Sequence, residues 1–203
     1  MTEKLVAFFV EGATEVAFYK AVVINAQKKL NAPYACSFQY VDMKGIGNFK
    51  SDALRQFRLL KKKHPDQPID VFLCIDRDVF DLQKKPPIDK ASVKKSLIKE
   101  GAQKVEYIEA KQSIEDWFLC DYHGVISYLG LPTKTNRPEG TGQEALKKLF
   151  LKAGKVYVKG GNAGKLIEYL DISGIMNACC SQFKPLCETL GLECKKEKKC
   201  RNA

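Results

Sequence analysis

Two apolar runs constrain this chain most: Leu5 to Val10 and Val71 to Ile75, neither broken by a polar residue. A strand solvated on one face alternates apolar and polar side chains, whereas one covered on both faces does not. These runs therefore predict the inner strands of a parallel sheet held between helices. The segment after the first run places Val16, Tyr19, Val22, Val23, Ala26 and Leu30 at helical spacing. Phe38 to Val41 reads as a second strand. A Lys-Gly-Ile-Gly-Asn turn follows, with Asn48 as the cap of a helix reaching Lys63. A helix over 91–100 is stopped by Gly101, and Val105 to Ile108 is a fourth strand. Alternation of this kind predicts an α/β domain with a mainly parallel sheet over residues 1–130.

The segment Leu131 to Gln143, rich in Pro, Gly and Thr, marks the boundary to a helical C-terminal appendage, residues 131–203. Helical signals lie at 143–152, 164–170 and 172–190, and the basic, cysteine-containing tail from Cys194 reads as frayed.

Each apolar run ends in acid. Glu11 closes the first and is followed by Gly12, which lets the backbone turn sharply. Asp76 and Asp78 close the second, and alternation points both the same way while Arg77 points the other. In a parallel sheet the carboxyl ends of the strands share one edge, where ligands bind. Three carboxylates on that rim would repel one another, and one would keep its proton. A hard cation, Mg²⁺ or Mn²⁺, removes the conflict and keeps waters for a phosphate. The alternative is that the acids are loop caps or salt-bridge partners. Lys111, after the fourth strand, either reaches a phosphate or faces solvent. Glu115 stands in the first turn of the helix opened by Ser113 and Asp116 in a capping-box pattern. It is a metal ligand or a favourable charge on the helix dipole. Glu15 reads as a dipole partner, Trp117 as core, and Asp81 as lying past the reach of the strand.

The balance of 34 Lys and Arg against 24 Asp and Glu leaves a formal charge of +10. Runs at Lys61–Lys63 and Lys195–Lys199 suit a polyanion, nucleic acid first, although solvated helix faces have the same composition. No 18-residue apolar stretch predicts a membrane span, and the N-terminus reads as a strand rather than a signal peptide, so the expectation is cytoplasmic. The eight cysteines do not form C-x-x-C pairs and only two histidines accompany them, which argues against zinc. They read as small buried hydrophobes with free thiols in a reducing compartment.

The order of motifs, Glu11-Gly12 after one strand and Asp76-Arg77-Asp78 after a later one, resembles the Toprim (topoisomerase–primase) domain. The segment Ile114-Glu115-Asp116-Trp117 is similar to the Phe-Glu-x-Trp of the RloB-like group, with Ile in place of Phe. The likeness, over about residues 4–120, is to the small bacterial Toprim nucleases of the OLD and RloB-like kind that act in anti-phage defence. It implies a Toprim (Rossmann-like) fold and a Mg²⁺-dependent nuclease cutting DNA or structured RNA such as tRNA. Asp76 and Asp78 would hold metal, with Glu11 as ligand or base and Glu115 completing the shell. OLD-type nucleases carry a functional lysine after the Asp-x-Asp strand, for which Lys111 is the best-placed match. They also carry an ATPase domain ahead of the Toprim domain. No such domain is read in this sequence, so sensing is expected to come from a separate regulatory or sensor partner or from another trigger. Two rival readings stand beside it. One is an Asp-based phosphohydrolase, although haloacid-dehalogenase enzymes carry Asp-x-Asp after the first strand and Thr or Val where this chain has Phe80. The other is a non-catalytic nucleic-acid-binding or partner-regulated module whose acids are structural.

Overall fold

The structure, a computed structural model, describes residues 3–29, 36–78, 80 and 86–192. Leu30, Asp81, Cys194, Cys200 and the basic run at 195–199 lie outside the described residues. Four strands form one parallel sheet: β1 (Lys4–Val10), β2 (Cys36–Asp42), β3 (Ile69–Asp76) and β4 (Lys104–Ala110), in the order β2-β1-β3-β4. β1 pairs with β3 from Leu5↔Ile69 to Val10↔Cys74. The two apolar runs of the sequence are thus neighbours at the centre of the sheet, as expected of strands buried on both faces.

Strand alternation divides the core in two. Val6, Phe8 and Val10 of β1 join Phe72 and Cys74 of β3 on one face. Leu5, Ala7 and Phe9 join Val71, Leu73 and Ile75 on the other. The second face is covered by α2 (Asn48–Lys63), through Phe49, Ala53 and Phe57, and by α3 (Lys90–Glu100), through Val93 and Leu97. The first is covered by α1 (Ala13–Lys29). Parallel crossovers are right-handed, so a chain that steps outward to β2 and then back past β1 to β3 must put α1 and α2 on opposite faces. The step direction reverses between β1 and β3, and it leaves a crevice at their carboxyl ends.

The remaining helices lie on the α1 face. They are α4 (Ile114–Phe118), a 3₁₀ turn (Leu119–Asp121), α5 (Tyr122–Leu129), α6 (Gly142–Lys152), α7 (Ala163–Ile167), α8 (Ile172–Ala178) and α9 (Cys180–Thr189). Their buried residues, among them Leu149, Phe150, Leu166, Ile175 and Phe183, share one continuous core with Phe8, Phe18 and Phe72 of the sheet layer. Trp117 is core, as expected, with its ring 4.8 Å from that of Phe183.

Two local expectations are corrected. Asn48 does not cap α2: its side-chain amide donates to the Met43 carbonyl at 2.8 Å and closes the turn that precedes the helix. The predicted helix over 172–190 is two helices. Cys179 between them adopts φ −107° and ψ 30°, outside the helical range, and Pro185 within α9 lacks the N–H that would bond back one turn. Cys180 is disulfide-bonded, which departs from the expectation of free thiols throughout. No described helix is long and apolar enough to cross a membrane.

Candidate active site at the carboxyl edge of the sheet

Asp76 is the last residue of β3 and shares the parity of Phe72 and Cys74, so its side chain projects to the α1 face. There it is 5% exposed. Glu11 follows β1 on the adjacent strand, half-buried, and its Oε1 accepts the Asp76 backbone N–H at 2.8 Å. That bond ties the two strand ends together across the crevice. Gly12 then admits the first turn of α1, because a Cβ there would stand 3.2 Å from Glu15 Oε2. Glu15 is 3% exposed and faces the same crevice. Glu115, in the first turn of α4, is fully buried. Its Oε1 accepts from the Tyr157 hydroxyl at 3.0 Å, while Oε2 has no hydrogen-bond partner.

Among the described residues one lysine pairs with these acids, and it comes from far along the chain. The Nζ of Lys159 stands 3.2 Å from Asp76 Oδ2 and 3.2 Å from Glu15 Oε1. Lys159 occupies the second position of the turn Val158–Gly161, closed by the Gly161 N–H to the Val158 carbonyl at 3.0 Å. Gly160 holds φ +80° at its third position, where a side chain would be strained. The turn is fixed from both sides. Asn162 Oδ1 accepts from the Val158 N–H at 3.1 Å, and the Gly160 N–H donates to Thr14 Oγ1 at 2.7 Å. The lysine is thereby held over the start of α1.

A single ammonium does not balance this much carboxylate. Burial pushes Asp76 up to about 8; Lys159 opposes the rise, and Glu11, Glu15 and Glu115 add to it. Glu11 is pushed up to about 7, again by burial first, against the Asp76 N–H and Lys159. Burial alone would lower Lys159, but Asp76, Glu15 and Glu115 outweigh it and hold its ammonium above the ordinary lysine value. Among the described residues, carboxylate outweighs positive charge in the crevice.

Asp78 stands half-buried at the mouth, its N–H bonded to the Gln112 carbonyl at 3.0 Å. It lines a cavity of about 400 Å³ together with Gln112, Glu115, Thr141, Lys147 and Lys159. Thr141 begins α6 through a capping box in which its hydroxyl accepts the Glu144 N–H at 3.3 Å and Glu144 Oε2 accepts the Thr141 N–H at 2.9 Å. That fixes the wall from which Lys147 reaches the cavity.

Of the residues the sequence singled out, Glu11, Asp76, Asp78 and Glu115 gather at this edge. Lys111 does not join them. It is exposed and lines a separate cavity beside Cys120 and Cys179, because the chain turns away after β4 before α4 brings Glu115 back. Lys159 stands where Lys111 was expected. Lys159, Tyr157 and the site position of Glu15 were not read from the sequence. The only local signal was Lys159-Gly160-Gly161-Asn162, a turn between two helices.

Oxygen donors of this kind are those that Mg²⁺ and Mn²⁺ take. Glu115 Oε2 and Glu15 Oε2, buried and accepting neither a hydrogen bond nor an ion pair, are oxygens that suit a cation. The geometry is less complete: among the described residues, no three acidic, histidine or cysteine side chains stand together as a ready ligand set. Among known proteins, residues 10–191 match the family described as a domain of unknown function, DUF4276. No curated protein and no solved structure matches the chain.

Proposed function

The chain belongs to the DUF4276 family, matched over residues 10–191, and from its carboxyl-edge site we propose that it is a metal-dependent phosphodiesterase of the Toprim type acting on nucleic acid. The observation that carries the reading is a surplus of carboxylate among the described residues, buried Asp76, Glu15 and Glu115 with half-buried Glu11, in the crevice where the strand order reverses. Further support comes from the adjacency of β1 and β3, which brings the Glu-Gly and Asp-x-Asp motifs to neighbouring strand ends.

In this reading Asp76, Asp78 and Glu11 hold Mg²⁺ or Mn²⁺, and Glu115 adds its free Oε2. A bound ion would supply an activated water and charge stabilisation at the leaving oxygen. The chain's own groups do the rest. Glu11, as a ligand or instead as the base, stands where it can take a proton from the attacking water. Lys159 releases one of its two acids to meet negative charge growing on the phosphoryl oxygens. Lys147 holds a neighbouring phosphate from the cavity wall, and Gln112 and Thr141 border the same space. A cavity of about 400 Å³ has room for the scissile phosphate and a neighbouring nucleotide unit. The Lys61–Lys63 run is not part of this surface. It ends α2, which leads straight into the start of β3, and so lies at the opposite edge of the sheet.

One observation favours a second reading, a non-catalytic nucleic-acid-binding module. Lys159 already pairs two of the acids, as a structural ion pair would. Incubation with plasmid DNA and with total tRNA separates the two. The phosphodiesterase reading predicts cleavage of at least one substrate with Mg²⁺ or Mn²⁺ and none with EDTA. Tight, salt-sensitive binding without turnover in either metal favours the second reading.

A further inference from the structure

A second chemical feature stands apart from the acid cluster. Cys120, in the 3₁₀ turn Leu119–Asp121, and Cys179, between α8 and α9, are 59 residues apart in sequence, and their Sγ atoms are 3.7 Å apart. Both are free thiols. Their exposures differ: Cys120 is open to solvent, whereas Cys179 is buried. They share a cavity of about 460 Å³ with Lys111, Asp116, Trp117 and Asn177. The two thiols are also electronically unlike. The sulfur contact with Cys179, in which either thiol can donate, draws Cys120 down to about 7; burial opposes this, Arg137 assists it and Asp116 opposes it. The same hydrogen bond, with burial, pushes Cys179 well above the ordinary thiol value, and Lys111 moderates the rise. An exposed sulfur thus stands beside a sheltered one, the arrangement in which one sulfur meets an oxidant and the other resolves it.

We propose that Cys120 and Cys179 form a reversible dithiol–disulfide site for peroxide-class oxidants, with Cys120 as the attacking and Cys179 as the resolving sulfur. The Cys120 thiolate attacks one peroxide oxygen and breaks the O–O bond, giving Cys120 sulfenic acid and hydroxide. Cys179 then loses its proton and attacks the Cys120 sulfur. The S–O bond breaks, the oxygen leaves as water, and the disulfide forms. Two electrons pass from the two thiols to one peroxide. Closing the sulfurs from 3.7 Å to the roughly 2 Å of a disulfide requires only a small shift of the 3₁₀ turn. The cross-link would tie the segment just after α4, which carries Glu115, to the junction of α8 and α9. Lys111, which the sequence offered as a catalytic lysine, lines the same cavity and favours the ionised form of Cys179.

The test treats the intact protein with one equivalent of hydrogen peroxide at pH 7.5, alkylates the remaining thiols and maps the peptides. The expected product is a Cys120–Cys179 cross-link that dithiothreitol removes. With dimedone present, Cys179→Ser is expected to label at Cys120 at least five-fold more than the wild-type protein, because the sulfenic acid has lost its resolving partner. A cross-link from Cys120 to Cys187, oxidation of Cys120 to the sulfinic acid without any cross-link, or equal dimedone labelling in both proteins would overturn the proposal. The wild-type peptide map does not depend on the variant's folding. None of these outcomes bears on the phosphodiesterase reading.

Discussion

Asp76→Asn is expected to lower metal-dependent cleavage by at least about 100-fold while making the metal-free protein more stable at alkaline pH. The two effects have one cause. Asp76 sits 5% exposed among other acids, and burial pushes its carboxyl up to about 8. In the unfolded chain it titrates near 4. Between those values the folded protein binds more protons than the unfolded chain, so wild-type stability falls as pH rises, by at most about 1.4 kcal/mol per pH unit for one group. Glu11 and Asp76 titrate as a coupled set, and Lys159 retains part of its attraction to the ionised form. A realistic gain for Asp76→Asn at pH 9 is therefore about 2 kcal/mol, against roughly a quarter of that at pH 5, where Asp76 is protonated in the fold and the unfolded chain has begun to ionise. Asparagine cannot supply the second carboxylate oxygen or the charge that holds Mg²⁺. Urea unfolding at pH 5, 7 and 9, alongside a cleavage assay, checks both halves. A variant less stable than wild type at every pH would mean that Asp76 is kept ionised as a structural partner of Lys159.

Lys159→Met is expected to act in the opposite direction on stability, and to be repaired by a cation. Removing the ammonium leaves Asp76 and Glu15 without their shared partner at 3.2 Å. Breaking a buried ion pair on one side costs roughly 3–5 kcal/mol. Here the lysine side chain is 39% exposed, and the acids can take up protons, so about 2 kcal/mol at pH 8 is the proper scale. For a chain of this length that is a fall in Tm of about 5 °C. The loss should shrink toward pH 6, because protonated carboxyls no longer repel, and grow toward pH 9. Millimolar Mn²⁺ should restore most of it at pH 8, since a divalent ion takes over the neutralising role. Failure of Mn²⁺ to restore Tm, or a loss independent of pH, would separate Lys159 from any cation site.

The sheet was legible because its inner strands advertise themselves. Leu5–Val10 and Val71–Ile75 tolerate no polar residue since both faces are covered, and the structure pairs them at the centre. The C-terminal helices were legible as helices, but their placement was not: which face of the sheet they cover depends on crossover geometry, not on local pattern. The predicted 172–190 helix ran through a break that only Pro185, part-way along α9, foreshadowed. At the site, Glu11, Asp76 and Asp78 could be found because a strand end has a known address in a parallel sheet. Lys159 could not, since it reaches Asp76 from a turn 83 residues away. Lys111 was favoured by sequence adjacency to β4 alone. Glu15 was assigned to the helix dipole because nothing in sequence revealed that the first turn of α1 is buried against the crevice. The Cys120–Cys179 pair, likewise, exists only in the folded chain.

A crystal of the protein soaked in Mn²⁺ at pH 8 tests the central claim most directly, because the anomalous signal of the metal locates it without reference to any assay. The account predicts a peak between the carboxylates of Glu11 and Asp76, within reach of Asp78 or Glu115, with the Lys159 ammonium drawn away from Asp76. A crevice still closed by Lys159, with no manganese there or manganese bound only elsewhere on the surface, would contradict it.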